Sequence, residues 1–102
     1  MSGMIMDIDL IRELLRRGRV KFSKEAKRRM QQRKITIEQI EKAILTGQII
    51  EERRREYPYP KCTICGYVER EVAHVILPIL QPLHVACAVG NELHIITVYW
   101  KE

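Results

Sequence analysis

Nowhere in this 102-residue chain does an apolar run approach the roughly 20 residues of a bilayer span, and no signal-peptide pattern opens it. A membrane protein is therefore not expected. Cysteine is scarce: Cys62, Cys65 and Cys87 cannot all pair, which argues against a secreted disulfide framework and for a reducing cytoplasm. Equally missing are a Gly-rich phosphate loop and a Ser/His/Asp set with recognisable spacing. Metal-dependent nuclease chemistry usually asks for clustered carboxylates. The paired acids here, Glu51-Glu52 and Asp7/Asp9, read as surface and helix capping. Repeats, low-complexity tracts and linkers are lacking too, so residues 1–102 read as one domain. A domain of this size buries roughly two-thirds of its unfolded surface.

What is abundant is charge. Apolar residues make up 46% and charged residues 30%, the balance of a soluble globular protein rather than a disordered one. The net charge of +5 hides an asymmetry. Arg12 to Lys34 holds eleven Lys/Arg against Glu13 and Glu25, a balance of +9, which leaves −4 for the rest. Such a positive front fits a polyanionic partner, most often nucleic acid, although a solvated helix surface would carry the same charges.

After a short apolar start, Met1–Met6, helical spacing of Ile8, Ile11, Leu14 and Leu15 predicts a helix from Asp7 to Gly18. Val20 to Phe22 reads as an extended link. Ser23 then caps a second helix, Lys24 to about Arg33, with little apolar content beyond Ala26 and Met30. Thr36-Ile-Glu-Gln39 has capping-box spacing and opens a third helix to about Thr46, stopped by Gly47. Strands are expected at Gln48–Glu56, with Ile49 and Ile50 inward, at Lys61–Val68, and at Val72–Leu80, bent or on an edge because of Pro78. The fold class is therefore α+β: N-terminal helices followed by a mostly antiparallel sheet of four to five strands.

Cys62-Thr-Ile-Cys65 has metal-knuckle spacing, but no second CxxC or HxxxH completes a ligand set, and on a strand the two thiols point to opposite faces. Ordinary structural thiols are expected, with no metal and no cofactor.

The stretch Gln81–Trp100 organises the rest. Two β-rich runs flank Gly90-Asn91, a hairpin signal for a two-residue turn. That turn sets Val89 opposite Glu92, Cys87 opposite His94, Val85 opposite Ile96 and His84 opposite Thr97. One face then carries Leu83, Val85, Cys87, Val89, Ile96, Val98 and Trp100 as core, with His94 and Glu92 towards the turn. The other gathers His84, Thr97 and Tyr99 at one end. A three-residue turn with a bulge would reassign these faces.

Imidazole, phenol and guanidinium suit metal-independent RNA cleavage, which must move the 2′-hydroxyl proton, protonate the 5′-oxygen and stabilise a more negative phosphorane. His84 and Tyr99 with Arg29 and Arg33 are the candidate catalytic groups. Arg28, Lys24, Lys27 and Thr97 are the candidate RNA contacts. Taken singly, His84 would also serve as a hydrogen-bonded structural histidine and Tyr99 as packing.

Phe22-Ser-Lys-Glu-Ala-Lys-Arg-Arg-Met30, Arg33-Lys-Ile35, Glu38 to Ile44, Gly47-Gln-Ile-Ile-Glu51, Tyr57-Pro58, Gly66, Pro82-Leu-His-Val85 and Ile96-Thr-Val-Tyr99 resemble the family called domain of unknown function 4258, over about residues 20–100. The resemblance implies the toxin half of a type II toxin–antitoxin pair, a RelE-like fold, and a zinc-finger (YgiT-type) or other small antitoxin as partner beside RNA. It points to Arg29, Arg33, His84, Thr97 and Tyr99, and leaves a homodimer open. A binding module without catalysis is the alternative. Two departures stand out: Glu25 occupies a position where the family commonly has histidine, and Glu69–Leu80 is longer than the usual link between Gly66 and Pro82.

Overall fold

The computed structural model describes residues 7–102, and the apolar start Met1–Met6 lies outside them. Helix α1 (Ile8–Arg16) is capped by Asp7, whose side chain accepts from the Asp9 N–H, and Gly18 follows at φ +72°. Its buried residues Ile11 and Leu14 face the core. Arg12 does something composition could not suggest. Its Nε donates to the Ile44 carbonyl at 2.9 Å and its Nη2 to the Gly47 carbonyl at 2.8 Å, so it binds carbonyls at the C-terminal end of another helix.

Strand β1 (Val20–Phe22) is more than a link, because it pairs in parallel with the end of the chain. Ser23 caps α2 (Lys24–Arg33) by accepting from the Ala26 N–H, and Lys34 ends it in the left-handed region at φ +55°. Helix α3 (Ile37–Thr46) opens with the full capping box: Thr36 accepts from the Gln39 N–H while the Gln39 side chain accepts from the Thr36 N–H.

Four further strands are β2 (Gln48–Arg53), β3 (Lys61–Arg70), β4 (Ile79–Val89) and β5 (Leu93–Trp100). They form one sheet in the order β1-β5-β4-β3-β2, antiparallel except for β1 against β5. Strand β2 is shorter than expected. A register shift between Ile49 and Glu51 also leaves Ile49 packed on the core while Ile50 is exposed. The apolar run from Val72 is not a strand. Residues 71–78 form the tip of the long β3–β4 hairpin, and only from Ile79 does the chain rejoin the ladder.

Helix α3 lies on β3 and β4, and α2 on β5, all closing one core. Contact between α3 and the sheet is close at Gly66, where an added Cβ would sit 2.5 Å from Ala43 Cα. Only a residue without a side chain fits there. The fully buried Ile40, Ile44, Ile64, Leu83, Val85, Ile95 and Val98 fill the layer between helices and strands; each such side chain contributes about 1.5–3 kcal/mol when taken from water. Among the described residues no helix is long and apolar enough to cross a membrane.

Candidate functional site

The hairpin register decides what the open face of the sheet presents. The turn is three residues, Gly90–Glu92, and Gly90 N–H donates to the Glu92 carbonyl. Val89 therefore pairs with Leu93, Ala88 with His94 and Cys87 with Ile95. A bulge then places Ile96 between the Cys87–Ile95 and Ala86–Thr97 pairs, after which His84 lies opposite Tyr99 and Val85 opposite Val98. This corrects the two-residue turn. Leu93 and Ile95, not Ile96 and His94, point into the core. The bulge has an anchor: the Ser23 hydroxyl donates to the Ile96 carbonyl at 2.6 Å, fixing the start of α2 beside β5.

His84 alternates with the fully buried Leu83 and Val85, so its side chain stands on the face away from the helices, as does Tyr99 between buried Val98 and Trp100. His84 Nδ1 and Tyr99 Oη are 3.3 Å apart, with ring centroids 5.1 Å apart and planes at 50°. Partial burial, and secondarily the Lys101 ammonium, hold the imidazole below its ordinary value. It is therefore neutral at pH 7, the form that can accept a proton. The phenol is 38% exposed, so the pair is reachable from solvent. Cys65 flanks His84 from β3 in the paired register, and Thr97 sits one row away opposite Ala86.

The basic helix is placed differently. Its one buried residue, Ala26, enters the core from the helical side, and the Arg33 carbonyl accepts the Trp100 indole N–H at 3.1 Å. Among the described residues no hydrogen bond or ion pair joins Arg29 or Arg33 to His84 or Tyr99. Glu25 instead accepts from Arg28 and, at 2.7 Å, from Arg29 Nε. The bonds to Arg29 and then Arg28 hold the Glu25 carboxyl below its ordinary value. Lys24, Lys27 and Arg33 are exposed. Arg33 borders a cleft of about 900 Å³ between the α2–α3 turn and the β3–β4 tip, together with Lys34 and Arg70. Arg70 lies over the Trp100 ring at 4.6 Å.

Sequence reasoning placed neither Lys101 nor Cys65 beside His84. The signal for Cys65 is the β3–β4 register, which sequence alone does not set. Cys62 is buried and Cys65 half-buried, on opposite faces of β3, so the two knuckle cysteines do not converge on one point.

The sequence pattern of one family, described as Domain of unknown function (DUF4258), matches residues 22–100. Comparison with curated proteins and with solved structures gave no match.

Proposed function

The chain belongs to the family of domain of unknown function DUF4258, and from the chemistry of its open sheet face we propose that it is a RelE-like toxin that cuts RNA without a metal. The observation that carries this is the solvent-reachable His84–Tyr99 pair on the open face of a helices-then-sheet scaffold, in a chain whose N-terminal third is strongly basic. With Nδ1–H donating to Tyr99 Oη, His84 Nε2 keeps its lone pair for the substrate. It takes the 2′-hydroxyl proton, the 2′-oxygen bonds to phosphorus, and the bond from phosphorus to the 5′-oxygen breaks. Tyr99 protonates the departing oxygen and recovers its proton from His84 Nδ1, which balances the transfer. Lys101, close enough to depress the imidazole pKa, offsets the charge that builds on the phosphorane. Arg29 and Arg33, with Lys24, Lys27 and Arg28, would meet phosphates further along a strand that passes round the β5 side of the sheet to α2, and Thr97 lines the path on the open face.

A small antitoxin is the second partner in this reading. Its support is the apolar β3–β4 tip, where Ile76 is 99% and Leu77 73% exposed, a grouping that suits a protein contact.

The test is cleavage of single-stranded RNA by purified protein in EDTA, alongside growth inhibition on expression. His84→Ala should lose about 10²–10⁴-fold in cleavage rate while keeping the native circular dichroism spectrum. A wild-type protein that neither cuts RNA nor slows growth refutes the reading.

One observation favours a non-catalytic binding module instead. Glu25, at the position where the family resemblance leads one to expect histidine, is ion-paired with two of the helix arginines.

A further inference from the structure

At the far end of β4 from His84, the open face carries a second aromatic construction that the cleavage chemistry does not use. Tyr59 lies nearly parallel to His94 and offset from it, with ring centroids 5.8 Å apart and planes 12° from parallel. His94 is on this face because its neighbours Leu93 and Ile95 are fully buried on the other. In the register it stands beside Ala88, which in turn faces Lys61. The fold makes room for the tyrosine. A Cβ at Gly90 would come within 2.7 Å of its ring, and the small Ala88 side chain lies low on the same face. Tyr59 remains 40% exposed, and Tyr57, two residues before it, is 90% exposed. A phenol ring held flat against a sheet face with this much of it still open contributes little to the core.

From His84 to Ala88 is four strand residues, about 13 Å. The floor between them is low, made by Thr63, Ala86 and Thr97, and it forms a shallow pocket of about 290 Å³ with Arg53 and Lys61 among its lining residues. Those two cations are paired to Glu51 and Glu56, each at 3.4 Å on the surface. Exposed pairs of this kind are worth little and are readily exchanged for phosphate.

We propose that the Tyr59–His94 stack is a nucleobase platform: a single strand crossing the His84–Tyr99 pair continues along β4 and lays a base on Tyr59, with Lys61 and Arg53 facing its phosphates. The inference rests on the RNA reading above. It adds the direction of the strand and a subsite outside the reacting phosphate. Every base has a π-face, so a platform of this sort binds strongly without dictating sequence.

The probe is a fluorescein-labelled 2′-O-methyl oligoadenosine of about eight nucleotides, which lacks the attacking hydroxyl and stays intact. An abasic sugar–phosphate oligomer of equal length reports backbone charge alone. Wild-type protein should prefer the base-bearing oligomer. Tyr59→Ala should reduce that preference about tenfold or more, Tyr59→Phe should retain it, and neither change should alter abasic binding. A Tyr59→Ala protein with full preference overturns the platform and leaves the cleavage reading standing. Wild-type protein that binds neither oligomer overturns both. Photocrosslinking wild-type protein to a 5-iodouracil-bearing oligomer needs no variant to fold: crosslinks should fall in the peptide holding Tyr57 and Tyr59. Crosslinks confined to α2 overturn the platform.

Discussion

The sulfurs of Cys62 and Cys87 lie 3.6 Å apart across β3 and β4, in a register pair whose members are both buried. The contact with Cys62, and then burial, push the Cys87 thiol far above its ordinary value, so Cys87 stays protonated. Alkylation of native protein should therefore modify half-buried Cys65 first and reach the other two only on unfolding. Cys87→Ser should cost about 1–3 kcal/mol in urea titration, because a buried hydroxyl asks for a better partner than a thiol does. Equal labelling of all three cysteines in the native state would contradict the packing.

Arg12 belongs to the basic front by sequence and to the fold by geometry. Its two charge-assisted bonds to carbonyls at the end of α3 should make Arg12→Met destabilising by about 1.5–3 kcal/mol. RNA binding by the folded variant should change little. A variant of wild-type stability with a much flatter salt dependence would show that Arg12 meets phosphate instead.

Glu25 holds back two arginines. Glu25→Gln removes the competing carboxylate, so RNA affinity at low salt should rise. The log–log salt slope should steepen by roughly 0.7 for each additional phosphate contacted. Glu25→His, which installs the residue that the family resemblance leads one to expect there, should raise cleavage as well as binding. Fluorescence anisotropy across a salt series separates the two effects, and an unchanged slope in both variants would count against a role for Arg28 and Arg29.

Burial first and Lys101 second depress the His84 pKa, and the sign carries into both rate and stability. The neutral base works, so the acid limb of kcat/KM should lie below the ordinary histidine range. Lys101→Gln should move it upward, because a proton on His84 then meets less repulsion. For stability, the unfolded chain binds this proton more readily than the folded one. The contribution is complete above the ordinary histidine value and is lost as pH falls from there through the folded value. Urea midpoints measured across that window should decline more in wild type than in His84→Gln.

The starts of the helices were legible from the chain alone. Asp7, Ser23 and the Thr36–Gln39 box each act within one turn of backbone, so residues three apart suffice to specify them. The cysteine parity along β3 was legible for the same reason, as was the α+β order. The apolar run at Val72–Leu80 misled, because hydrophobicity alone does not say whether a segment has a partner to pair with, and residues 71–78 have none in the sheet. The candidate site was half visible. His84 and Tyr99 were named, but their contact depends on a bulge at Ile96 held by Ser23, a residue 73 positions away in sequence. Arg12 likewise found its role 32 and 35 residues downstream, at Ile44 and Gly47. Local pattern determines which residues form an element and which side they share. Register between elements is a sum of distant contacts, and one inserted residue reverses every side chain beyond it, so only the tertiary structure decided which groups meet on the open face.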